Sequence, residues 1–275
     1  MYKSLWKNLH GAVCSINFYS DNGIKLTSLT GFKVDNYIVT DEYIYKILKC
    51  DEVVFQFVKD DGFSQSRTIK MSFIEFTDRV NRLVEYENEG YALIEFDQID
   101  TSEIPSMSIN LEKDFSIGQQ IAVIGYHVDQ DNLSLKNGII SSFFKQKNDK
   151  RFIQFDAAIK QGNSGSPLID VESGKVIGVA GYRLAAITKS YEAFKQIIEE
   201  NLRLLKKSEG QMNILEIDPI QVLIANQNQL KQVSKEFYRS AAMSFGYAHE
   251  ICSLSNYIEI LNASDYVENS MQAPL

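Results

Sequence analysis

The sequence has 275 residues, which is enough for one large domain or for two unequal ones. Hydrophobic residues make up 44% of the chain and charged residues 23%, so it can bury a core and is neither disordered nor fibrous. The net charge is −8, because acidic residues outnumber lysine and arginine. A chain this acidic is poorly suited to neutralise the phosphates of a nucleic acid. Nucleic acid is therefore not a predicted partner.

The three cysteines, Cys14, Cys50 and Cys252, are far apart and odd in number. With no Cys/His cluster beside them, they predict free thiols in a reducing compartment and neither a metal site nor a cofactor. The first twenty residues lack the apolar stretch and cleavage site of a signal peptide. No apolar run approaches the roughly 20 residues of a membrane span. We therefore expect a cytoplasmic protein with no membrane partner.

Short segments rich in β-branched and aromatic residues run from about residue 12 to residue 100, and a second set runs from about 106 to 185. The first set is AVCSINFY, LTGFKV, YIVT, EVVFQFV and YALIEF, and the second is QQIAVIGY, GIISSFF, FIQFDAA, SPLIDV and KVIGVAGY. Polar or glycine-containing turns separate the segments. This pattern predicts a mainly β domain over residues 1–185, built as two packed barrels or a sandwich.

Helical spacing replaces the strand pattern after about residue 186. One helix is predicted over residues 188–206 and another over 219–262. Asp218 should cap the second helix, with Pro219 at its first position and Gln221 completing a capping box. These features predict a separate helical C-terminal region, residues 186–275.

An apolar stripe with seven-residue spacing lies along the second predicted helix, and Gly246 is expected to break or bend it. Two interpretations stay open: a helical hairpin packed on its own β domain, or a helix that binds a partner or a second copy of the chain. The residues midway between the apolar ones are small or polar, which disfavours a strong isolated coiled coil. The stripe consists of Leu223, Leu230, Phe237, Ile251 and Ile258.

The most specific chemical signal is the segment GNSGSPL, residues 162–168. A serine between glycines on a tight turn lets backbone N–H groups converge beside its hydroxyl. The N–H groups of Gly162 and Ser164 could donate to an oxyanion, as acyl transfer requires. Gly165 permits backbone conformations that a side chain would hinder.

This segment and several others resemble the trypsin-like serine peptidases of the HtrA type. FDAAIKQGNSGSPLID is similar to the family's pocket wall and nucleophile loop, GKVIGVAGY to the next strand, and IGQQIAVIGY with NGIISSF to the start of the second barrel. LTGFKVDNYIVTDEYI and EGYALIEF resemble the segments that carry the catalytic histidine and aspartate. The resemblance covers about residues 12 to 185. It implies two six-stranded antiparallel barrels with Ser164 as nucleophile at their junction.

Two positions depart from the family pattern. Tyr43 stands where the resemblance implies the catalytic histidine, and Gly90 stands where it implies the aspartate; Glu87 and Glu89 are near neighbours. A serine hydroxyl is a weak nucleophile without an adjacent base. A phenol, with a pKa of about 10, is a poor substitute for an imidazole at neutral pH. The triad is thus predicted to be degenerate.

None of the three histidines is predicted to replace the missing base. His10 precedes the first strand and is expected at the surface, and the resemblance places His127 on the oxyanion side of Ser164. His249 lies in the predicted C-terminal helix and would reach the cleft only if that helix crossed it. Asp156, which begins the segment DAAI, is expected to be structural.

The sequence therefore predicts a catalytically impaired pseudo-protease that binds a peptide or protein in its cleft and is able to form homo-oligomers through its C-terminal helices. One alternative is an active serine endopeptidase in which a non-standard or partner-supplied base activates Ser164. The other is a structural subunit whose cleft does nothing. Ile159 and Lys160 are expected to line the pocket wall. If only the triad is lost, Tyr43→His with Gly90→Asp should restore some activity.

Overall fold

The computed structural model describes residues 1–47, 49–81, 90–112, 114–127, 130–145, 151–160, 162–181, 185–211, 218–241 and 245–259. The chain forms two compact units. The first combines Met1–Tyr182 with Phe245–Leu275 and contains the β-strands. The second, Arg183–Ser244, contains two long helices. The helical segment is therefore an insertion within the chain of the β unit and does not simply follow it.

The N-terminal half of the β unit is one six-stranded antiparallel sheet with the order β5-β4-β1-β2-β3-β6. Val80, which follows helix α2, forms a bridge with Ile94 of β6 and so connects the β5 end of the sheet to its other edge. The elements are α1 (Tyr2–Leu9), β1 (Val13–Tyr19), β2 (Lys25–Val34), β3 (Tyr37–Asp41), β4 (Glu52–Val58), β5 (Gln65–Ser72), α2 (Phe73–Arg79) and β6 (Tyr91–Glu95).

The second half forms a closed six-stranded antiparallel barrel with the order β10-β11-β12-β9-β8-β7. The long strand β8 pairs first with β7 and then, from Ile140 onward, with β9. The strands are β7 (Gln120–His127), β8 (Gln130–Lys145), β9 (Arg151–Phe155), β10 (Pro167–Asp170), β11 (Val176–Gly181) and β12 (Gly246–Glu250). One of the two predicted barrels is thus closed, while the other is a six-stranded sheet.

Alternating side chains fill three apolar clusters, because successive residues of a strand point to opposite faces of a sheet. In β7, Ile121 and Val123 lie in the cluster inside the barrel, whereas Ala122 and Ile124 lie in a cluster shared with the first sheet. A third cluster, which includes Phe55, lies within the first sheet. The shared cluster packs the two halves against each other and fixes the loops at their junction.

The prediction of a continuous helix over residues 219–262 is wrong at Gly246–Glu250, which form strand β12 between β11 and β9. Without β12 the barrel would be open, so its backbone hydrogen bonds to two neighbours outweigh a helical side-chain pattern. Gly246 does not bend a helix: a Cβ atom there would lie 2.2 Å from the Phe155 ring, so glycine allows the close approach of β12. Ile251, which was assigned to the helical stripe, is instead buried in the shared cluster. The inserted helices accordingly end before residue 245, and residues 254–259, after β12, are helical again.

The inserted unit is an antiparallel pair of helices, α3 (Ala185–Lys207) and α4 (Pro219–Ala241). The rings of Tyr191 and Tyr238 stack with centroids 4.4 Å apart, and Lys231 Nζ lies 2.9 Å from Glu199 Oε1. Residue numbers therefore rise along α3 in the direction in which they fall along α4, as expected of antiparallel helices. Within the described residues, helices long and apolar enough to span a membrane are absent.

Asp218 caps α4 as its sequence predicts. Its Oδ1 accepts a hydrogen bond from the N–H of Ile220 at 2.8 Å, and its Oδ2 accepts one from the N–H of Gly210, also at 2.8 Å. Replacing Asp218 with alanine should therefore lower the free energy of unfolding by about 1 kcal/mol. Urea denaturation followed by circular dichroism measures this change. Asp218→Asn, which keeps an acceptor oxygen, should cost clearly less; equal losses for both variants would contradict the capping role.

Candidate functional site

Ser164 lies on a tight turn between β9 and β10. The backbone has a positive φ on both sides of it, 98° at Gly162 and 87° at Gly165, a region that glycine enters without steric cost. The N–H of Ser166 donates to the carbonyl of Asn163 at 3.0 Å, and the N–H of Gly165 donates to the carbonyl of Ala180 at 2.7 Å. These bonds hold the turn against β11. Ser164 itself is 8% exposed.

Thr30 of the first sheet ties this turn to the other half of the β unit. Its N–H donates to the carbonyl of Ser164 at 2.8 Å, and its hydroxyl donates to the carbonyl of Gly162 at 2.7 Å. The same hydroxyl accepts from the N–H of Tyr126 at 3.0 Å. Ser164 therefore lies at the junction of the two sheets, where the resemblance places it.

Asn163 fixes the turn from inside the barrel. Its Nδ2 donates to the carbonyl of Tyr126 at 2.6 Å. Its Oδ1 accepts from the N–H of Lys160 at 3.0 Å and from Nζ of Lys136 at 2.5 Å. Nζ of Lys136 also donates to the carbonyl of Ala158 at 2.8 Å. One ammonium group thus holds both the turn and the segment before it, and no local sequence pattern marks Lys136 for this role.

Lys136 should make stability depend on pH. Burial, with a smaller effect from the Lys160 ammonium, lowers the pKa of Lys136 from 10.5 to about 8. Between these values the unfolded chain binds a proton that the folded protein has released. The contribution of Lys136 to stability is therefore lost as the pH falls through about 8 and gained as it rises toward 10.5.

We expect the free energy of unfolding of the wild type, minus that of Lys136→Met, to grow as the pH rises over this interval. Urea denaturation of both proteins at about pH 7.5, 9 and 10.5 measures the difference and cancels the other titrating groups. Lys160→Met, on the exposed neighbour, is the control and should give a much flatter difference. A difference for Lys136→Met that stays constant with pH would contradict the prediction.

Tyr43, at the position implied for the catalytic histidine, lies in a short 3₁₀ helix, Glu42–Lys46. Asp41 precedes this helix and caps it, since its Oδ1 accepts from the N–H of Tyr43 at 2.8 Å. The Tyr43 side chain is 46% exposed. Tyr43 is therefore partly exposed to solvent, while Asp41, two residues earlier, is buried.

Gly90, at the position implied for the catalytic aspartate, has a φ of 83° and lies directly against the imidazole of His249. A Cβ atom on Gly90 would lie 1.9 Å from both Cε1 and Nδ1 of His249. His249 is 6% exposed and packs on Phe152, with ring centroids 4.4 Å apart. The imidazole thus occupies the space that an aspartate side chain at residue 90 would need.

Asp41 and His249 both lie near Gly181, at the end of β11. A Cβ atom on Gly181 would lie 3.2 Å from Oδ2 of Asp41 and 3.8 Å from Nε2 of His249. The backbone N–H of Asp41 lies on the other side, near Gly165, where a Cβ atom would be 2.9 Å from it. A buried carboxylate and a buried imidazole are therefore grouped beside the nucleophile turn, although neither stands at its family position.

The other residues considered from sequence lie away from this group or in different roles. His10 stacks on Trp6 at the end of α1, His127 ends β7, and Oδ1 of Asp156 accepts from the N–H of Ile139 at 2.7 Å. Of the two residues expected to line the pocket wall, Ile159 is buried in the barrel core and Lys160 is exposed. Glu87 and Glu89 lie outside the described residues.

Sequence reasoning missed two members of the site. His249 was assigned to a helix because the surrounding residues have helical spacing, and Asp41 was passed over in favour of Tyr43. An acidic residue at the end of the predicted strand YIVT, two residues before Tyr43, was the available signal for Asp41. For His249 no local signal exists, since only the pairing of β12 with distant strands brings it there.

Two relatives of this chain carry the name of a probable serine endoprotease. A protein named "Probable periplasmic serine endoprotease DegP-like" from Halomonas elongata is 35% identical over 85 residues, covering 30% of this chain and 18% of that protein. One of the same name from Pseudomonas fluorescens is 28% identical over 141 residues, covering 50% and 25%. The chain thus spans a quarter or less of the length of these two relatives.

A solved serine endoprotease from Yersinia pestis aligns with a TM-score of 0.49 at 20% identity, covering 68% of this chain and 59% of that one. The family model described as "Trypsin-like peptidase domain" matches residues 30–179, more than half of the chain. That segment runs from Thr30, which holds the nucleophile turn, to Val179 in β11. The match confirms the resemblance drawn from the sequence. This chain belongs to the trypsin-like peptidase domain family.

Proposed function

We propose that this protein is a catalytically impaired member of its family that binds an extended peptide or protein segment beside Ser164. The observation that carries the proposal is the pair of replaced triad positions: a partly exposed tyrosine, Tyr43, stands at the histidine position, and His249 fills the space beside Gly90. A serine hydroxyl lacking an oriented base is a weak nucleophile. Turnover should therefore be poor even though the serine is retained.

The preserved shape of the nucleophile turn supports a binding role. Thr30, Asn163 and Lys136 hold the turn through hydrogen bonds that do not involve the missing triad members. Recognition of an extended peptide by main-chain hydrogen bonds requires no triad either. The relatives named as serine endoproteases suggest a protein ligand.

The test compares wild type with Ser164→Ala on an unfolded casein substrate and, in parallel, measures binding of fluorescent casein peptides by anisotropy. We expect both proteins to cleave at the same background rate and to bind the peptides with similar affinity. Cleavage by the wild type that Ser164→Ala abolishes would refute the impaired-enzyme proposal. Undetectable peptide binding by both would refute the binding role and favour a structural subunit.

A second candidate function, an active serine hydrolase with a rearranged base, is supported by the grouping of Asp41 and His249 beside the nucleophile turn. In that case a fluorophosphonate probe should label Ser164 stoichiometrically. Asp41→Asn and His249→Gln should each slow labelling about 100-fold, the typical contribution of a general base, while Tyr43→Phe should not. Labelling of the wild type no faster than of Ser164→Ala would exclude this candidate.

We also propose a reducing, cytoplasmic location. All three cysteines are free thiols, and Cys14 is buried in the first sheet. Fractionation of cells that express the protein, with an alkylation assay for free thiols, tests this. Recovery in an extracytoplasmic fraction would overturn it.

A further inference from the structure

The helical hairpin carries an uncharged apolar face. On α4 the exposed apolar side chains include Phe237, which is 71% exposed, and on α3 they include Ile197, which is 58% exposed. At 100° per residue each set forms one stripe rather than a scatter. The stripes are Phe194, Ile197 and Leu204 on α3, and Val222, Leu223, Leu230, Val233 and Phe237 on α4.

Both stripes lie on the same side of the hairpin. On each helix the stripe is rotated by about a quarter turn, around the helix axis, from the residues that face the other helix. The sense of this rotation, viewed along each helix from its N-terminus, is the same for α3 and α4. Because the helices are antiparallel, equal rotations bring the two stripes to one side. The ion pair between Glu199 and Lys231 lies toward the opposite side.

The size of this face matches that of a stable interface. Each helix has 23 residues and is therefore about 35 Å long, and two packed helices are about 20 Å across. The face offers about 700 Å², close to the roughly 800 Å² per partner of a standard protein interface. An uncharged face of this kind fits neither nucleic acid nor an ionic ligand.

One asparagine lies at the centre of the face. The register that places Glu199 beside Lys231 sets Asn201 level with Leu230. The stripes then form four successive layers that each pair a residue of α3 with one of α4: Phe194 with Phe237, Ile197 with Val233, Asn201 with Leu230, and Leu204 with Asn226. Val222 and Leu223, both on α4, form a fifth layer, so that Asn201 lies in the third of the five. In a two-fold dimer the residues on the axis meet their own copies. An asparagine amide both donates and accepts, so it can pair with itself.

We propose that the hairpin is a dimerisation module and that its apolar face binds the same face of a second copy to form a four-helix bundle. Such bundles bury the apolar sides of four helices around one core. Asn201 lies on the two-fold axis and sets the register, as a polar residue in a helical interface can do at some cost in stability. The family's peptidase domain is not needed for this contact.

Sedimentation equilibrium of the full chain tests the assembly. We expect the wild type to have twice its 31.3 kDa monomer mass. Ile197→Glu with Val233→Glu should raise the dissociation constant at least about 100-fold, because each charge would be buried without a partner. Because both positions are exposed in the single chain, the double variant should have the same helical content as the wild type. Asn228→Glu, on an exposed position outside the stripe, is the matched control and should leave the dimer intact.

A cysteine scan tests the two-fold register. Asn201→Cys should form an intermolecular disulfide under mild oxidation at least about tenfold more than Asn228→Cys, since only a residue near the axis meets its own copy. The wild type gives the background from Cys14, Cys50 and Cys252. A wild type that is monomeric at about 100 µM would overturn the proposal, as would a dimer that survives the double glutamate variant. A dimer with equal cross-linking at both positions would also overturn it.

Discussion

Replacing Gly165 with alanine should lower the free energy of unfolding by about 3 to 5 kcal/mol, the range expected when positive-φ strain and a backbone clash add together. A Cβ atom there would lie 2.0 Å from the carbonyl oxygen of Thr30 and 2.4 Å from Oγ1 of Thr40. Neither atom can move easily: the strand of Thr30 is held in the first sheet, and its carbonyl accepts from the Thr40 hydroxyl at 2.7 Å. Urea denaturation of the purified variant measures the loss.

Gly174→Ala is the matched control for backbone strain. Gly174 also has a positive φ, 71°, but a Cβ atom there would have no atom within 4 Å. Its substitution should cost only the conformational term, about 1 to 2 kcal/mol. If Gly165→Ala were no more destabilising than Gly174→Ala, the close packing of the nucleophile turn on the first sheet would be refuted.

The motif around Ser164 was predictable because its chemistry is local. Glycines at 162 and 165 and a serine between them specify a turn in a few consecutive residues, and the structure forms that turn. The strands from Val13 to Gly181 were largely predictable for a similar reason, since apolar and β-branched runs identify a strand whatever its partner. Strand β5 was missed because its residues are mostly polar and exposed, and only Ile69 and Met71 are buried.

The parts that could not be predicted depend on contacts between distant segments. Strand β12 has five residues, of which Gly246, His249 and Glu250 have little preference for a strand, so its conformation is set by pairing with β9 and β11. The intervening hairpin separates it from β11 by more than sixty residues. Helical spacing before and after β12 then led to the wrong assignment for His249. The position of His249 against Gly90 therefore follows from the pairing of β12.

This rearrangement changes the expectation that Tyr43→His with Gly90→Asp would restore activity. An aspartate at residue 90 would meet the imidazole of His249, because even a Cβ atom there lies 1.9 Å from two ring atoms. We expect Gly90→Ala alone to lower the free energy of unfolding by about 3 to 5 kcal/mol. In a His249→Ala background, which removes the clash, the same change should cost only about 1 to 2 kcal/mol of backbone strain.

A double-mutant cycle measures this coupling, which should be about 1 to 4 kcal/mol. Gly118→Ala is the control for strain, since Gly118 has a φ of 90° and open space around the Cβ position. Gly118→Ala should lower the free energy of unfolding by the same amount in the wild-type and His249→Ala backgrounds. Additive losses for Gly90→Ala and His249→Ala would show that the imidazole does not fill the aspartate position.

The same contact predicts which combination of substitutions can regain peptidase activity. Tyr43→His with Gly90→Asp should stay at the background set by Ser164→Ala. Adding His249→Ala frees the space for the carboxylate, so that the new aspartate can orient the new imidazole toward Ser164. We expect this triple variant to cleave unfolded casein at least about tenfold faster than background, far below a complete triad because the surrounding contacts are not optimised. Cleavage by the double variant as fast as by the triple one would show that His249 is no obstacle. A folded triple variant that stays at background would show that the cleft has changed beyond its two replaced triad positions.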